Sequence, residues 1–263
     1  MALDLSGKTI VILGASQGIG ATASRMFVKA GANVVLGGVS ADRGRAFAEE
    51  LTSEGGRAEW RPGDLNDEAC LKALMDGVAA DHGRIDGLFN NGADLALLEK
   101  DGDAVSTDLD VFERTLKADL TGYFLACRFA IPHMLRQGGG SIVQTSSQAA
   151  SFSDPTMVAY SCAKAGVDAL TRHIAVRWGK QNIRCNAIQP GMVMTEKAWG
   201  MADILPLDLF LSRTPAPRLG IPEDIAALAG FLMTDEAAFM NGQVLSSDGG
   251  MHIVLNHVGT AEG

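Results

Sequence analysis

Tyr160 and Lys164 stand four residues apart in the stretch AYSCAKAG, which runs from Ala159 to Gly166. Four residues are one helical turn, so on a helix both side chains leave from the same face. A phenol ordinarily keeps its proton to about pH 10. An ammonium beside it favours the phenolate and pulls that value down. The pair therefore has the make-up of a tuned proton donor, and equally that of a surface tyrosine with a lysine next to it. A second group with chemical potential is the loop LGASQGIG, in which Gly14, Gly18 and Gly20 follow an apolar run with GxxxGxG spacing. Small residues there let backbone N–H groups approach a pyrophosphate at a helix N-terminus. A tight strand-to-helix turn would use the same glycines without a ligand.

The elements that must position these groups follow a regular rhythm. KTIVIL reads as a buried strand, and GIGATASRMFVKAG as a helix ending on Gly31. NVVLGG is a second strand and ADRGRAFAEELTSEGG a second helix. RAEWRPGD is a third strand. The helix NDEACLKALMDGVAADHG opens on an Asn cap, Asn66, and stops on Gly83. IDGLFNN is a fourth strand, followed by one long amphipathic helical segment over residues 107–137. GSIVQTSS is a fifth strand, and the helix of Tyr160 and Lys164 runs to about Gln181. IRCNAIQP is a sixth strand, PEDIAALAGFLMT a helix with Pro in its first turn, and GQVLSSDGG the closing strand. Strands alternating with helices predict an α/β fold: a doubly wound parallel sheet with helices on both faces. Without a linker, repeat or low-complexity tract, one domain over residues 1–263 is the simplest organisation.

Composition narrows the function classes. The 263 residues are 47% hydrophobic and 20% charged, with a net charge of −9. Such a chain can bury a sizeable core, and its acidity argues against nucleic acid or an anionic membrane as partner. Cys70, Cys127, Cys162 and Cys185 are scattered without CxxC spacing, and the five histidines show no HExxH pattern. The cysteines read as buried thiols in a reducing compartment, and no metal is expected. The N-terminus has no basic region before a long apolar one, and no apolar run reaches the length of a membrane span. A soluble cytoplasmic protein is expected.

In order along the chain stand GASQGIG, GDL at Gly63 to Leu65, NNGA at Asn90 to Ala93, Ser146–Ser147, YSCAK, PGMVMT at Pro190 to Thr195, and GQVLSSDGG. Ser147 lies thirteen residues before Tyr160. In this order and spacing the chain resembles the short-chain dehydrogenase/reductase family from Gly7 to about Met251. The resemblance implies a Rossmann-like fold and an oxidoreductase moving a hydride between a nicotinamide cofactor and a carbonyl or secondary alcohol. It implies Tyr160 as general acid or base, Lys164 as the cation that tunes it and binds the nicotinamide ribose, and Ser147 as the holder of the substrate oxygen. Cofactor contacts carried over are Gly14, Ser16, Gln17, Gly18, Ile19 and Gly20 of the glycine loop, Asp64 and Leu65 at the adenine, and Asn91 and Gly92. Pro190, Gly191, Val193 and Thr195, the last anchoring the carboxamide, complete them. Gln148, Met192 and Trp199 are the implied substrate neighbours.

Three positions depart from the family pattern. The Asn that relays protons to the lysine is replaced by Asp119, whose charge would hold Lys164 as a cation yet oppose the phenolate. NNAG is NNGA here, which strains Ala93 if its position needs a positive φ. The acid that selects NAD by binding the adenine ribose is Gly38, and the basic residues that select NADP are replaced by Val39 and Gln17. Ser40 and Arg43 are close enough in sequence to hold a 2′-phosphate, or to be a helix cap and a solvated side chain. GGVSADRGRAF is similar to NADP-using β-ketoacyl reductases, which tilts the expectation to NADP(H).

After Thr195 comes an apolar stretch with Trp199, Met201, Ile204, Leu205, Leu207, Phe210 and Leu211. By resemblance residues 195–215 form a lid over the substrate; the alternative is a helix pair packed on the core. With Phe152, Met157, Met192 and Met194 nearby, it suggests an apolar pocket for a hydrophobic or cyclic ketone or secondary alcohol. YFLACRFAIPHML is apolar nearly all round, as a helix buried on two sides is, and the resemblance implies a homotetramer or a dimer. The tail MHIVLNHVGTAEG is placed over the substrate pocket, over a neighbouring subunit, or in solvent. The rival function is a cofactor-binding or sensing protein that kept the fold and lost the chemistry. Intact Ser147, Tyr160 and Lys164 argue against it.

Overall fold

A computed structural model describes residues 3–152, 155–203 and 205–254. Seven parallel strands form one sheet: β1 (Thr9–Leu13), β2 (Asn33–Gly38), β3 (Arg57–Pro62), β4 (Gly87–Asn90), β5 (Gly140–Thr145), β6 (Ile183–Pro190) and β7 (Val244–Ser247). Their order is β3-β2-β1-β4-β5-β6-β7. The period of two along each strand divides the core into two layers. In β1, Ile10 and Ile12 face one layer while Val11 and Leu13 face the other; Phe89 and Leu88 in β4 divide likewise. Helices α1 (Gly18–Lys29) and α2 (Ala41–Ser53) cover the first layer, with Phe27 and Phe47 buried. Helix α3 (Glu68–His82) covers the second through Leu71, Leu74, Met75 and Val78.

The N-cap of α3 is Asp67 rather than Asn66. Its carboxylate accepts from the N–H of Cys70 at 3.1 Å. Asn66 is used one step earlier, where its own N–H donates to Asp64 at 2.8 Å and turns the chain.

The long segment 107–137 is not one helix. Helix α4 (Leu109–Leu116) passes through a π-helical turn at Lys117–Thr121 into α5 (Gly122–Gln137). A π turn widens the helix by one residue and shifts the face of everything after it. Ala118 and Asp119 of that turn are both buried. Gly122 then lies against Leu65, where an added Cβ would sit 2.6 Å from the Leu65 carbonyl.

Helix α6 (Val158–Trp178) carries Tyr160 and Lys164 and passes into a 3-10 turn at Gly179–Gln181. Its N-cap Met157 has φ 63 and ψ 40, the left-handed region, and contributes no side-chain cap. The cap comes from far away in sequence. Buried Asp101 accepts from Ala159 N at 3.0 Å and Tyr160 N at 2.8 Å, and its carbonyl accepts from Met157 N at 3.0 Å. A carboxylate at a helix N-terminus also meets the positive end of the dipole. Helices α7 (Glu196–Trp199) and α8 (Leu207–Ser212) follow β6. Helix α9 (Pro222–Met233), with Pro at its start, packs on α1 beneath the first layer.

Two expectations need qualification. Cys127 and Cys185 are buried thiols, with burial pushing Cys127 up to about 12. Cys162 is exposed and Cys70 only half-buried, because Cys162 falls on the outward side of α6. Ile204 and most of the expected C-terminal cover, residues 255–263, lie outside the described residues. Among the described residues, no helix is long and apolar enough to cross a membrane.

Replacing Asp101 with Ala removes both carboxylate acceptors of the Ala159 and Tyr160 N–H groups, and the charge at the start of α6. A loss of about 2 kcal/mol is expected, which lowers Tm by roughly 4–8 °C. Asp101→Asn, which retains an acceptor, should lose less. Thermal melting of both variants checks this, and equal melting to the parent would remove Asp101 as the cap.

Candidate active site

The strand order reverses between β1 and β4, and a crevice opens beyond their C-terminal ends. The glycine loop crosses it. Gly14 has φ +74, and a Cβ there would meet the Cα of Gly92 at 2.6 Å. A Cβ on Gly20 would lie 2.0 Å from the Gly14 carbonyl. These contacts pull the first turn of α1 onto the end of β1. The N-cap Gln17 makes no side-chain cap bond. Such a glycine cradle at a helix N-terminus fits a dinucleotide's pyrophosphate.

Asn91, just after β4, ties the floor together. Its amide donates to Gly14 O at 3.4 Å, and its Oδ1 accepts from the Thr145 hydroxyl at 3.2 Å. The NNGA exchange leaves no strain, since neither Gly92 nor Ala93 has a positive φ. On the far side Gly18 meets Thr195, whose methyl lies 3.2 Å from a Cβ built on Gly18. Thr195 also caps α7, accepting from Ala198 N at 3.2 Å. Gly191 of the same loop rests on Asp248. Thus the glycine loop, Asn91, Gly92 and Thr195 share one rim, with Leu65 packed beside Gly92.

The chemical group stands at the ends of β5 and α6. Ser147 follows β5 with its hydroxyl accepting from Ala149 N at 3.1 Å. The Ser147 hydroxyl also favours the phenolate form of Tyr160. Lys164 is 1% exposed. Its Nζ donates to Thr145 O at 3.1 Å and to the Tyr123 hydroxyl at 3.5 Å, and lies 5.5 Å from the Tyr160 ring centre.

The balance at Tyr160 differs from the simple picture of a lysine lowering a phenol. Burial raises the Tyr160 pKa most, the Asp119 charge raises it further, and the Ser147 hydroxyl opposes both. Burial lowers the Lys164 pKa, while Asp119 and Asp168 hold its proton on. Burial raises Asp119 in turn, against the attraction of Lys164 and a hydrogen bond from Asp94 N at 3.2 Å. The neutral phenol is therefore the resting form, and the ammonium is ready for the charge that appears when the phenol loses its proton.

Other sequence-selected residues are distributed around this centre. Gly38 closes β2, and its carbonyl accepts from Gly63 N at 3.0 Å. Ser40 occupies the N-cap of α2 without a side-chain cap bond. Arg43 is not simply solvated: it donates to Gln17 Oε1 at 2.8 Å. A cleft of about 390 Å³ lined by Ser16, Gln17, Gly18, Arg25 and Arg43 flanks the glycine loop, away from Tyr160. Gln148 donates to Asp248 at 2.8 Å, and its buried Oε1 has no partner among the described residues. Trp199 ends α7 at 62% exposed.

Three residues escaped sequence reasoning: Tyr123 against Lys164, Asp101 beneath Tyr160, and Asp168. Asp168 is one turn beyond Lys164 and accepts from Gln189 at 2.8 Å. Its i+4 spacing from Lys164 was a usable signal. Tyr123 and Asp101 offered none.

A family model described as enoyl-(acyl carrier protein) reductase matches residues 14–252. A probable short-chain type dehydrogenase/reductase of Bradyrhizobium diazoefficiens is 35% identical over 97% of this chain and 89% of its own. The chain belongs to the short-chain dehydrogenase/reductase family. As a member it is an oxidoreductase that works with a nicotinamide cofactor on a CH–OH or C=O group of a small molecule. A further relative in the family, the cis-4-hydroxycyclohexanecarboxylate dehydrogenase of Sinomonas cyclohexanicum, is 37% identical over 92% of this chain and 96% of its own. Two solved family structures superpose closely. One is a gluconate 5-dehydrogenase of Burkholderia cenocepacia with NADP and tartrate, at TM-score 0.90 and 28% identity, covering 97% of this chain and 98% of that one. The other is a 7α-hydroxysteroid dehydrogenase with NADH and 7-oxo-glycochenodeoxycholic acid, at TM-score 0.88 and 33% identity, covering 95% and 96%.

Asp119→Asn tests the charge balance. Removing the carboxylate lowers the Tyr160 pKa, so the acid limb of alcohol oxidation moves to lower pH. It also removes support for the Lys164 ammonium, so the basic limb moves the same way. An active enzyme with a lower pH optimum is expected from kcat/KM profiles; an unmoved or raised optimum, or a folded but inactive variant, contradicts this balance.

Proposed function

We propose that this chain interconverts a hydrophobic or cyclic ketone and its secondary alcohol, with Tyr160 as general acid and base. The observation that carries the reading is the packing of Tyr160 between the Ser147 hydroxyl and the buried Lys164 ammonium. Ser147 orients the substrate oxygen beside the phenol. In reduction Tyr160 gives its proton to the forming alkoxide, and the ammonium of Lys164 stabilises the phenolate left behind. In oxidation the phenolate takes the alcohol's proton. The bound nicotinamide supplies or accepts the hydride. Gly14 to Gly20, Asp64, Leu65, Asn91, Gly92 and Pro190 to Thr195 are the residues assigned to hold it.

The apolar preference is supported by Phe152, Met157, Met192 and Trp199, and by relatives named for a cyclohexane carboxylate and a hydroxysteroid. Residues 195–215, containing α7 and α8, are read as the lid, and the whole chain as one domain. Exposed Leu109, Phe124 and Val176 on α4, α5 and α6 support a homotetramer, or a dimer. The free cysteines support a cytoplasmic location. Missing acid at Gly38, with Ser40 and Arg43 beside it, favours NADP(H).

Tyr160→Phe should abolish turnover of cyclic ketones while cofactor binding stays close to that of the parent. Rates on cyclohexanone and a keto-steroid, set against gluconate, test the substrate class; turnover of gluconate alone would reject it. Gly38→Asp places a carboxylate where a 2′-phosphate would lie. Parallel titrations should show NADPH affinity falling about tenfold or more while NADH affinity holds or rises.

A further inference from the structure

An acidic side chain at position 38 would project toward an indole. The nearest atom to a Cβ built on Gly38 is Trp60 Nε1, at 4.0 Å. Trp60 belongs to β3, where it pairs with Leu36 two residues before the Gly38–Pro62 pair. Its ring lies on Gly44 in the first turn of α2. A Cβ on Gly44 would come within 1.9 Å of Trp60 Cδ1 and 2.2 Å of Nε1. Glycine at 44 is what admits the ring. The Nε1 edge is thereby held between the last residue of β2 and the start of α2.

The side chains that flank Gly44 along the start of α2 are mostly donors. Ser40 has a hydroxyl that does not cap its helix. Arg43 reaches Gln17 with one nitrogen and has four further N–H donors. The Arg45 guanidinium stands 5.3 Å over the Trp60 ring and withdraws density from it, which strengthens the N–H as a donor. The acids of the same region are Asp42, in the first turn of α2, and Asp64, which turns its carboxylate to Asn66 N at 2.8 Å. An indole N–H donates and cannot accept. A phosphate oxygen, an acceptor carrying charge, is the partner that it binds most strongly.

We propose that Trp60 is a cofactor-specificity residue, donating its indole N–H to the 2′-phosphate of NADP(H) in the space that Gly38 leaves open. The inference rests on the NADP(H) reading above and adds a residue from a different strand to Ser40 and Arg43. It also gives Gly44 a function, since any side chain there evicts the ring.

Trp60→Phe keeps an aromatic ring over Gly44 and deletes the donor. Calorimetric titration should show NADPH binding weakened about tenfold, with NADH changed less than twofold. A contraction of that ratio supports the proposal, and an unchanged ratio overturns it. If the parent binds NADH more tightly, the NADP(H) reading falls. The Trp60→Phe effect on NADPH alone still decides the role of the indole. Should the variant melt early, the parent itself answers through the indole ¹H–¹⁵N resonances. Adenosine 2′-monophosphate should move the Trp60 signal downfield and adenosine 5′-monophosphate should not. A Trp60 signal indifferent to both, or moved equally by both, rejects the contact.

Discussion

A buried ammonium is the constraint on which the site depends. An unpaired cation out of water is unfavourable by several kcal/mol, so Lys164 needs partners from every side. They arrive from four elements: Thr145 O at the end of β5, the Tyr123 hydroxyl on α5, Asp119 from the π turn, and Asp168 one turn along α6. The same arrangement fixes where Tyr160 stands, because it shares the helix face. The geometry of the proton donor is thus a by-product of satisfying one charge. The π turn is part of this solution, since Asp119 is buried within it.

The field at Tyr160 is set by competition. Burial and Asp119 keep the proton on, and Ser147 draws it off. An amide in place of Asp119 would leave only burial on the first side. The carboxylate biases the group toward the neutral phenol, the form that donates. At the other end of the crevice glycine stands at 38 in place of an acid, and Ser40, Arg43 and Arg45 bring donors to the start of α2.

What could be read from the sequence was what repeats within one turn or one strand. Tyr160 with Lys164, the glycine loop and the short apolar run of β1 are local patterns whose meaning does not depend on distant chain. The shift at Lys117–Thr121 was hidden because YFLACRFAIPHML after it is apolar nearly all round, so a change of face leaves no break in the pattern. Asn66 and Asp67 are both good caps, and sequence alone does not rank adjacent candidates. Asp101 was out of reach for another reason. It lies 58 residues before Ala159, and Gln148 meets Asp248 across 100. Only the folded chain brings such pairs together. Met157 shows the same limit, since its left-handed φ is tolerated because Asp101 and its neighbours hold the backbone on either side.

The position of β1 between β2 and β4 also has a consequence for how the chain is made. From Thr9 to Pro62 each new strand adds beside its predecessor, so β1, β2 and β3 can assemble as they leave the ribosome. The inner edge of β1 then faces solvent until residues 87–90 emerge, an interval of several seconds at about 5–20 residues per second. Until then that side of TIVIL has no strand partner, and an apolar unpaired edge is the kind that captures other chains. The strand whose end becomes the floor of the cofactor crevice is thus an edge strand until β4 has been made.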